Sequence, residues 1–339
     1  MIDLVVVGGG PVGLMSAIYA ASAGLSVTVV EPRSTPVDKA CGEGLMPGAV
    51  AALAAVDVQP AGMPFRGIRY LQGDRHVEAR FATGPGRGVR RTELHRALAA
   101  RAEQVGVRFV EQRVTEVEQT AGWVGAAGVR ARHLIGADGL HSTVRRAAGL
   151  LRPPGPSRRY GLRRHYRVAP WSDLVEVHWG PDAEVYVTPV APDTVGVAVL
   201  GPGPLDLDRT LSQLPALGRH LSRAAPVSAV RGAGPLWQRS RARVSGRILL
   251  VGDAAGYVDA LTGEGLRIGF AEAAAAVDCI LNDRPEDYAQ RWNTITRSYR
   301  VLTGSMVWCA GRSSVRRAIV PSAQSLPPVF ARLVNSLAT

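Results

Sequence analysis

The chain has 339 residues, 46% of them hydrophobic, and is long enough to bury one large core or two interleaved ones. Its net charge of +12 is carried by arginine, since Lys39 is the only lysine. The arginines are spread along the chain rather than gathered into a basic tract with interleaved aromatic residues, which argues against nucleic acid as a partner. The composition indicates a globular protein with an arginine-rich surface.

The three cysteines, Cys41, Cys279 and Cys309, form no CxxC pair and no cluster with zinc spacing. This usage predicts a reduced, cytoplasmic protein without a metal site. The first 30 residues are broken by glycines and lack a basic start, which is not typical of a signal peptide. No stretch approaches the roughly 18 to 20 apolar residues of a membrane-spanning helix, so any membrane contact would be peripheral.

The N-terminal segment has the strand, helix, strand order of a βαβ unit. Residues 2–7 are an apolar run typical of a parallel strand covered on both faces, residues 11–23 are predicted helical, and residues 25–30 are predicted to form the next strand. Further along, residues 93–105 have helical periodicity and residues 107–110 resume a strand. These elements indicate an α/β domain.

A glycine motif lies at the turn between the first strand and the first helix. Gly8 permits the tight turn, Gly10 lets a pyrophosphate approach the backbone, and Gly13 lets helix and strand pack closely. The free N–H groups at the start of this helix favour a phosphate. Glu31, which ends the next strand, is placed to bind ribose hydroxyls and would repel a 2′-phosphate. The motif predicts a dinucleotide site without separating NAD from FAD.

A second segment, GDAAGYVDALTGEGLRIG from Gly252 to Gly269, repeats this glycine and aspartate chemistry after another apolar run. A cofactor held from both ends of the chain indicates an extended dinucleotide, and therefore FAD. Between about residues 158 and 200 the pattern changes to short alternating runs separated by Pro, Gly and Asp, which predicts an antiparallel sheet. Residues 65–81 would add strands to it.

We therefore predict an α/β protein with a Rossmann-like FAD-binding domain, an inserted antiparallel β-sheet substrate domain and C-terminal helices. The expected FAD-binding domain is discontinuous and comprises residues 1–64, 89–150 and 240–284. The expected substrate domain comprises residues 65–88 and 151–239. Within the FAD-binding domain, the helix after the second glycine segment is predicted over residues 270–281.

Residues 285–339 form the expected C-terminal helical segment, with interruptions at Pro321 and at Pro327 with Pro328. Its basic residues among apolar ones would suit an anionic membrane surface and a lipophilic substrate. Packing back onto its own domain is the commoner behaviour of such a helix. The arginines concerned are Arg312, Arg316, Arg317 and Arg332.

A third motif, in IGADGLHSTVRR, places Asp138 and Gly139 after an apolar strand. Together with the GxGxxG turn and the GD segment, it resembles the flavoprotein superfamily of aromatic hydroxylases (group A flavin monooxygenases) and geranylgeranyl reductases, over about residues 1–285. The resemblance implies that Asp253 binds the ribityl chain. It also implies that the backbone from Gly263 to Leu266 faces the pyrimidine edge of the flavin.

The stretch KACGEGLMP resembles the Cys-Gly loop of geranylgeranyl reductases, and Gly256 matches them where hydroxylases tend to have histidine. Cys41 would then face the flavin as a proton donor or positioning group, with a packed cysteine as the alternative. Gly42 and Gly44 would let the loop pass close to the ring. The family usually has proline where this chain has Ala260, which leaves the rigidity of that turn open.

Cationic side chains are expected at the phosphates. Arg91 matches a family position where a polar side chain reaches the pyrophosphate, while Arg33 and Lys39 would add contacts or remain solvated. The predicted FAD contacts are Gly8, Gly10, Pro11, Val12, Gly13, Glu31, Pro32, Arg33, Lys39, Gly42, Gly44, Arg91, Val114, Asp138, Gly139, Asp253, Gly263, Gly265 and Leu266.

His165, His178 and Tyr186 on the predicted sheet join Cys41 as candidate catalytic residues, because each offers a titratable or hydrogen-bonding group. Strand alternation places His165 on the same face as Arg163. Which face meets the flavin is left open, and structural hydrogen bonding is the alternative role for each histidine.

The resemblance implies an FAD-dependent oxidoreductase whose flavin is reduced by NADPH or NADH, bound transiently because no second GxGxxG unit is present. The partner would be a bulky aromatic or lipophilic small molecule. We expect a monooxygenase, the commoner chemistry on this scaffold, although Gly256 and the CGEG loop favour a C=C reductase. A halogenase is disfavoured because no WxWxIP segment is present. The only support for a non-catalytic flavin protein is Ala260, which replaces the proline usual in the family.

Overall fold

The computed structural model describes residues 1–153 and 158–338; residues 154–157 of the predicted substrate domain and Thr339 lie outside the described residues. The strands are β1 (Ile2–Val7), β2 (Val27–Val30), β3 (Gly44–Leu45), β4 (Met63–Phe65), β5 (Gly67–Gln72), β6 (Arg75–Arg80), β7 (Gly86–Gly88), β8 (Arg108–Val110), β9 (Val117–Gln119), β10 (Val124–Ala126), β11 (Val129–Gly136), β12 (Arg159–Arg167), β13 (Val175–Trp179), β14 (Glu184–Ala191), β15 (Thr194–Pro202), β16 (Ala225–Pro226), β17 (Arg231–Ala233), β18 (Val244–Ser245) and β19 (Ile248–Leu250).

The helices are α1 (Pro11–Ser22), α2 (Pro47–Ala54), α3 (Arg91–Gln104), α4 (Thr143–Ala147), α5 (Leu207–Ser212), α6 (Pro215–Leu221), α7 (Gly265–Leu281), α8 (Tyr288–Ala310), α9 (Ser313–Ser325) and α10 (Pro327–Ala338). In these described ranges, no helix is both long enough and apolar enough to cross a bilayer.

One sheet contains the βαβ unit expected at the N-terminus. Its order is β18-β19-β11-β1-β2-β8, and β1 pairs in parallel with both β2 and β11. The central strands are buried because α1 packs on the sheet and against α3 and α7. Parallel pairing of β19 with β11 brings the C-terminal glycine segment beside the N-terminal one.

A second sheet has the order β16-β12-β15-β14-β13-β5-β6. Strands β12, β15, β14 and β13 are antiparallel, as the alternating runs predict, and β5 and β6 join them. Pairing of β13 with β5 is parallel, which the sequence pattern did not indicate. One face of this sheet packs valines of β14 and β15 against Leu207 of α5 and Leu217 of α6. The opposite face is therefore turned towards the FAD-binding domain.

The C-terminal helices correct one prediction and pack back on the sheet domain. Helix α9 continues through Pro321, so the predicted interruption there is wrong; a proline removes one backbone hydrogen bond, which tertiary packing can offset. Arg316 of α9 is buried and donates to Glu184 Oε1 at 2.7 Å, which excludes a membrane-facing role for this side chain. Pro327 and Pro328 instead start α10, where a missing N–H breaks no helical bond.

Helix α7 begins at Gly265, five residues before the predicted start. Glycines at its first turns obscured the pattern because they lack the apolar side chains that mark a helix face. Gly269 has a packing reason, since a Cβ there would lie 2.5 Å from Val12 Cγ2. This close approach of α7 and α1 brings the N-termini of both helices to one cavity.

Candidate active site

A cavity of about 570 Å³ is lined by residues of both sheets, the loop before β3, and α10. All the predicted FAD contacts except Gly13 line this cavity, which we call the flavin cavity. Cys41 and Tyr186 also line it, whereas His165 and His178 do not. The structure thus brings together residues that span the chain from Gly8 to Leu266.

Two glycines of the turn after β1 have different surroundings: Gly10 borders open space and Gly13 is tightly packed. Gly10 is the N-cap residue of α1, and a Cβ built on it would meet no atom within 4 Å. A Cβ on Gly13 would lie 1.9 Å from the carbonyl oxygen of Gly8, so Gly13 supplies close packing and is not a cavity residue. No side chain caps α1, which leaves its first N–H groups facing the open space at Gly10.

Glu31 at the end of β2 is fixed by two neighbours. Its Oε2 accepts a hydrogen bond from Gly9 N at 2.9 Å, and its Oε1 accepts one from Arg33 Nε at 2.7 Å. Burial raises the pKa of Glu31, but these hydrogen bonds outweigh burial and hold it below its ordinary value. The carboxylate is therefore ionised at neutral pH, as a ribose ligand should be.

His95 of α3 is a supporting residue that the sequence analysis missed. Its Nε2 lies 2.8 Å from Gly9 O, and burial lowers the pKa of His95, so the neutral ring donates to this carbonyl. Because Gly9 also donates to Glu31, both polar groups of this turn residue are satisfied. The signal that could have found His95 is its place four residues after Arg91, on a predicted helix facing the glycine turn.

Arg91 begins α3, and its N–H donates to Glu43 Oε1 at 2.9 Å. Its side chain lines the flavin cavity, and its buried Nε has no acceptor among the described residues. A buried guanidinium N–H without a partner calls for an anionic ligand. Together with the open space at Gly10, it shows that the site fits the pyrophosphate of FAD.

Asp138 lines the cavity, but one of its carboxylate oxygens already accepts hydrogen bonds from the backbone. Its Oδ2 accepts hydrogen bonds from Thr143 N at 2.7 Å and Val144 N at 3.1 Å, and so caps α4. Gly139 has φ +82, and a Cβ on it would lie 3.3 Å from Lys39 Nζ. The DG pair therefore shapes the wall and leaves room for Lys39.

Asp253 points into the flavin cavity beside Lys39, whose Nζ lies 3.2 Å from Asp253 Oδ2. Arg145 holds the backbone of this turn, because its Nη1 donates to Asp253 O at 3.2 Å and to Ala254 O at 2.9 Å. The carboxylate of Glu272 on α7 accepts a hydrogen bond from Gly252 N. The turn that carries Asp253 is thus fixed from two sides.

The turn at Ala260 is closed without the proline usual in the family. Gly263 N donates to Ala260 O at 3.0 Å, and Leu261 N donates to Asp259 Oδ1 at 3.1 Å. Asp259 is itself buried and paired with Arg159 at 2.9 Å. Asp259 therefore holds this turn in place, although the turn lacks the proline at position 260. From the sheet domain, Tyr186 donates to Leu261 O at 3.0 Å.

The loop that carries Cys41 is held by Glu43, a residue that the sequence analysis missed. Glu43 has φ 60, and its buried carboxylate lies 2.7 Å from His165 Nε2 and 3.7 Å from Arg163 Nε. Glu43 N donates to Cys41 Sγ at 3.4 Å, and Thr188 of β14 donates to Gly42 O at 2.9 Å. These contacts fasten the loop to the sheet domain.

The two candidate catalytic histidines have structural partners. His165 lies between Glu43 and Ser228, with Nδ1 2.9 Å from Ser228 Oγ. His178 Nε2 lies 3.1 Å from Glu176 Oε2, and strand alternation puts it on the face of β13 opposite to the cavity-lining Val177. The His178 ring therefore points away from the flavin cavity. His165 is on the same face of β12 as the cavity-lining Arg163, and it contacts Glu43, a carboxylate that itself lines the cavity.

Beyond the loop of Cys41, the flavin cavity continues into an arm lined by hydrocarbon, which we call the apolar arm. Its lining comes from β4, β5, β13 and α10 and comprises Phe65, Ile68, Val175, Val177, Val334 and Leu337. Tyr70 lines it as well, packed on Phe330 of α10 with ring centroids 4.9 Å apart. The C-terminal helix therefore forms part of the site.

Known proteins show the same organisation. The family described as "FAD binding domain" matches residues 1–204. A menaquinone reductase from Mycolicibacterium smegmatis is 30% identical over 346 residues, covering 88% of this chain and 80% of that protein. Digeranylgeranylglycerophospholipid reductase 2 from Methanopyrus kandleri is 30% identical over 292 residues, covering 78% of this chain and 73% of that protein.

Among solved structures, a flavoprotein/dehydrogenase from Cytophaga hutchinsonii superposes with a TM-score of 0.85 at 17% identity, covering 99% of this chain and 92% of that chain. This likeness shows the fold. Further matches include aromatic hydroxylases and flavin-dependent halogenases. With the cavity described above, these similarities show that the chain belongs to the FAD-binding-domain family and is an FAD-dependent oxidoreductase.

Proposed function

We propose that the protein is an FAD-dependent reductase that saturates a C=C bond in a long, largely apolar molecule, with NADPH or NADH as the reductant. The observation that carries this proposal is the apolar arm next to Cys41. Moving hydrocarbon from water into such a lining is favourable by about 25 cal/mol per Å² of buried surface. The proposal differs from the monooxygenase expected above.

FAD, when bound, would supply a hydride equivalent taken from the nicotinamide nucleotide. The chain's part is to hold the cofactor and exclude water. Glu31, Arg91 and Asp253 line the cavity where ribose, pyrophosphate and ribityl groups would lie. The apolar arm, lined in part by α10, would hold the substrate beside the flavin and exclude water from its contact surface.

Saturation of a C=C bond also needs a proton, and the Cys41 thiol is our candidate for its donor. Sγ acts as the acceptor in its hydrogen bond from Glu43 N, so this bond does not use the thiol proton. The anchored loop holds the sulfur at the cavity wall. Two tyrosine hydroxyls also line the cavity, but burial raises the pKa of Tyr186 and Tyr257 well above the ordinary value. Both are therefore weaker acids than an ordinary tyrosine and poorer proton donors.

Hydroxylation of a phenol is the second candidate, favoured by the similarity to aromatic hydroxylases. Such a reaction benefits from a base that takes the phenol proton. His178 is bound to Glu176 outside the cavity, and Tyr186 stays protonated. Glu43 lines the cavity, but its two oxygens are already engaged by Arg91 N and His165 Nε2. The described cavity residues thus favour reduction over hydroxylation.

The test is a product analysis with flavin-loaded protein, NADPH or NADH, and a polyprenyl quinone or geranylgeranyl lipid as probe. Under anaerobic conditions we expect probe-dependent oxidation of the nucleotide and a product heavier by two hydrogen atoms, which keeps this added mass after any quinol has been reoxidised to quinone in air. A product heavier by one oxygen atom, formed only in air, would overturn the reductase proposal in favour of the hydroxylase.

A further inference from the structure

A second cavity, of about 920 Å³, shares Gly252, Asp253, Tyr257 and Gly265 with the flavin cavity. Its other walls come from residues 237–240 with Arg243, from α7 near Glu272, and from the side of α8 that carries Trp292 and Trp308. We call it the arginine groove. Gly256, which the sequence analysis singled out without assigning a role, also lines it.

Four arginines line the groove: Arg152, Arg239, Arg243 and Arg300. In the described part of the chain, none of them forms an ion pair with a carboxylate, whereas the buried arginines Arg159, Arg163 and Arg316 do. Asp253, one of the two acidic residues in the lining, is paired with Lys39. The groove therefore carries uncompensated positive charge.

The other acidic residue, Glu272, does not neutralise this charge. Burial raises the pKa of Glu272 to about 8, so its carboxyl is largely protonated at neutral pH. Burial also lowers the pKa of Arg243 to about 10, although the nearby Glu272 raises it. The positive charges of Arg300 and Arg152 lower the pKa of Arg243 further. The cations repel one another, and an anion in the groove would relieve that repulsion.

Stacking holds two of the guanidinium groups in place. Arg243 Cζ lies 3.7 Å and Arg300 Cζ 4.7 Å from the ring centroid of Trp292. Guanidinium groups fixed in this way lose little side-chain entropy when they bind a phosphate. Trp237 is partly exposed and lines the groove. Trp308 is 54% exposed, with Arg312 Cζ 3.7 Å from its ring centroid, so one face of this indole already carries a guanidinium group.

We propose that the arginine groove binds the phosphate groups of a nucleotide, with its indole rings beside the base. Forked arginines match phosphate oxygens, and aromatic rings stack on any base. The cavity has the size of a small-molecule site rather than of an open surface. The inference does not require the nucleotide to be the reductant, so it stands apart from the proposed function.

The test is calorimetric titration of flavin-loaded protein with 2′,5′-ADP, ADP and inorganic pyrophosphate. We expect at least one of the two nucleotides to bind more tightly than pyrophosphate, and Arg239→Gln with Arg300→Gln to raise its Kd by more than about tenfold. Arg152→Gln with Arg239→Gln, both exposed, should act in the same way without touching Trp292. The matched control is Arg75→Gln with Arg108→Gln, two exposed arginines elsewhere, which should leave Kd within about twofold.

A nucleotide bound here contacts the segment that also lines the flavin cavity, so its saturation should shift the visible absorbance of bound flavin. Failure of both nucleotides to bind, or equal binding by the groove and control variants, would overturn the proposal. Binding to phosphatidylglycerol vesicles that only the groove variants lose, with no nucleotide binding, would assign this face to a membrane and overturn it too.

Discussion

Lys39 and Asp253 form an ion pair in the flavin cavity, Nζ to Oδ2 3.2 Å, although 214 residues separate them. Both side chains are about one-third exposed, at 35% and 30%, so the pair adds little to stability. We expect Asp253→Ala to weaken FAD binding by more than about tenfold, since a hydrogen bond to a charged group contributes about 1.5 to 3 kcal/mol. Fluorescence titration of apoprotein with FAD measures this, and the melting temperature of the apoprotein should change little. Unchanged FAD affinity would refute the ribityl assignment.

The two glycines of the turn predict opposite outcomes for the same substitution. Gly10→Ala should leave the apoprotein folded, because its new methyl group meets no protein atom, but it should impair FAD binding by occupying the pyrophosphate space. Gly13→Ala should destabilise the fold itself, because its methyl group would lie 1.9 Å from Gly8 O. Thermal unfolding of both apoproteins and FAD titration of the folded one separate the cases. A Gly10→Ala protein with full flavin content would contradict the assignment of this space.

Truncation of Glu43 should reduce the stability of the protein. Glu43→Ala leaves the His165 ring and Arg91 N without this carboxylate, while Arg163 keeps its ion pair with Asp38, so we expect a loss of about 1 to 3 kcal/mol from unsatisfied buried polar groups. Glu43→Gln keeps an oxygen for Arg91 N and should cost less. Urea unfolding gives the two free energies, and the rate of thiol modification reports on the Cys41 loop. Equal stability of wild type and Glu43→Ala would contradict the anchoring role.

Glu272 predicts a pH dependence of stability. Its folded-state pKa of about 8 lies above its ordinary value of 4.5, so between these values the folded protein binds more protons than the unfolded chain. Its contribution is therefore fully present at low pH and is lost as pH rises towards about 8. Urea unfolding at about pH 5.5 and about pH 8.5 should show a smaller decline for Glu272→Gln than for wild type. Parallel declines would show that Glu272 does not titrate in this range.

Under the proposed function, substitution of Cys41 should lower the rate of substrate reduction and leave FAD binding unchanged. Cys41→Ala removes the proton donor and should lower kcat for reduction of the C=C bond by about 10² or more, without changing flavin content or flavin reduction by the nucleotide. Cys41→Ser tests whether a weaker acid in the same position retains part of the rate. Stopped-flow measurement separates flavin reduction from substrate reduction. An unaffected substrate step would reduce Cys41 to a packed loop residue.

Local patterns predicted the features whose chemistry lies in consecutive residues. The βαβ unit, the glycine turn and the two aspartate motifs each carry their signal within a few positions, and β1 has the predicted bounds of Ile2–Val7. The start of α7 and the continuity of α9 through Pro321 depend on tertiary packing, so propensity misplaced them. Local signals were sufficient for β1 and the glycine turn and insufficient for these helices.

The roles of the histidines could not be predicted, because they depend on partners far along the chain. His165 contacts Glu43, 122 residues away, and no periodicity links the two. The same holds for the pairing of Arg316 with Glu184, which buries one arginine of the basic C-terminal segment. Alternation defined the two faces of the sheet, but only the packing of α5 and α6 decided which face meets the flavin.

Because β19 pairs with β11, the sheet of the FAD-binding domain can be completed only after residues 248–250 have been synthesised. The sheet that holds FAD lacks its β19 edge, and the cavity lacks Asp253, until the ribosome has made the whole inserted sheet domain. Until then residues 134–136 of β11, which pair with β19, have an open edge that can pair with other chains. Long-range closure of this kind slows folding and exposes intermediates to aggregation. The complete cavity, with Gly8 and Asp253 in one lining, can therefore form only after both segments have left the ribosome.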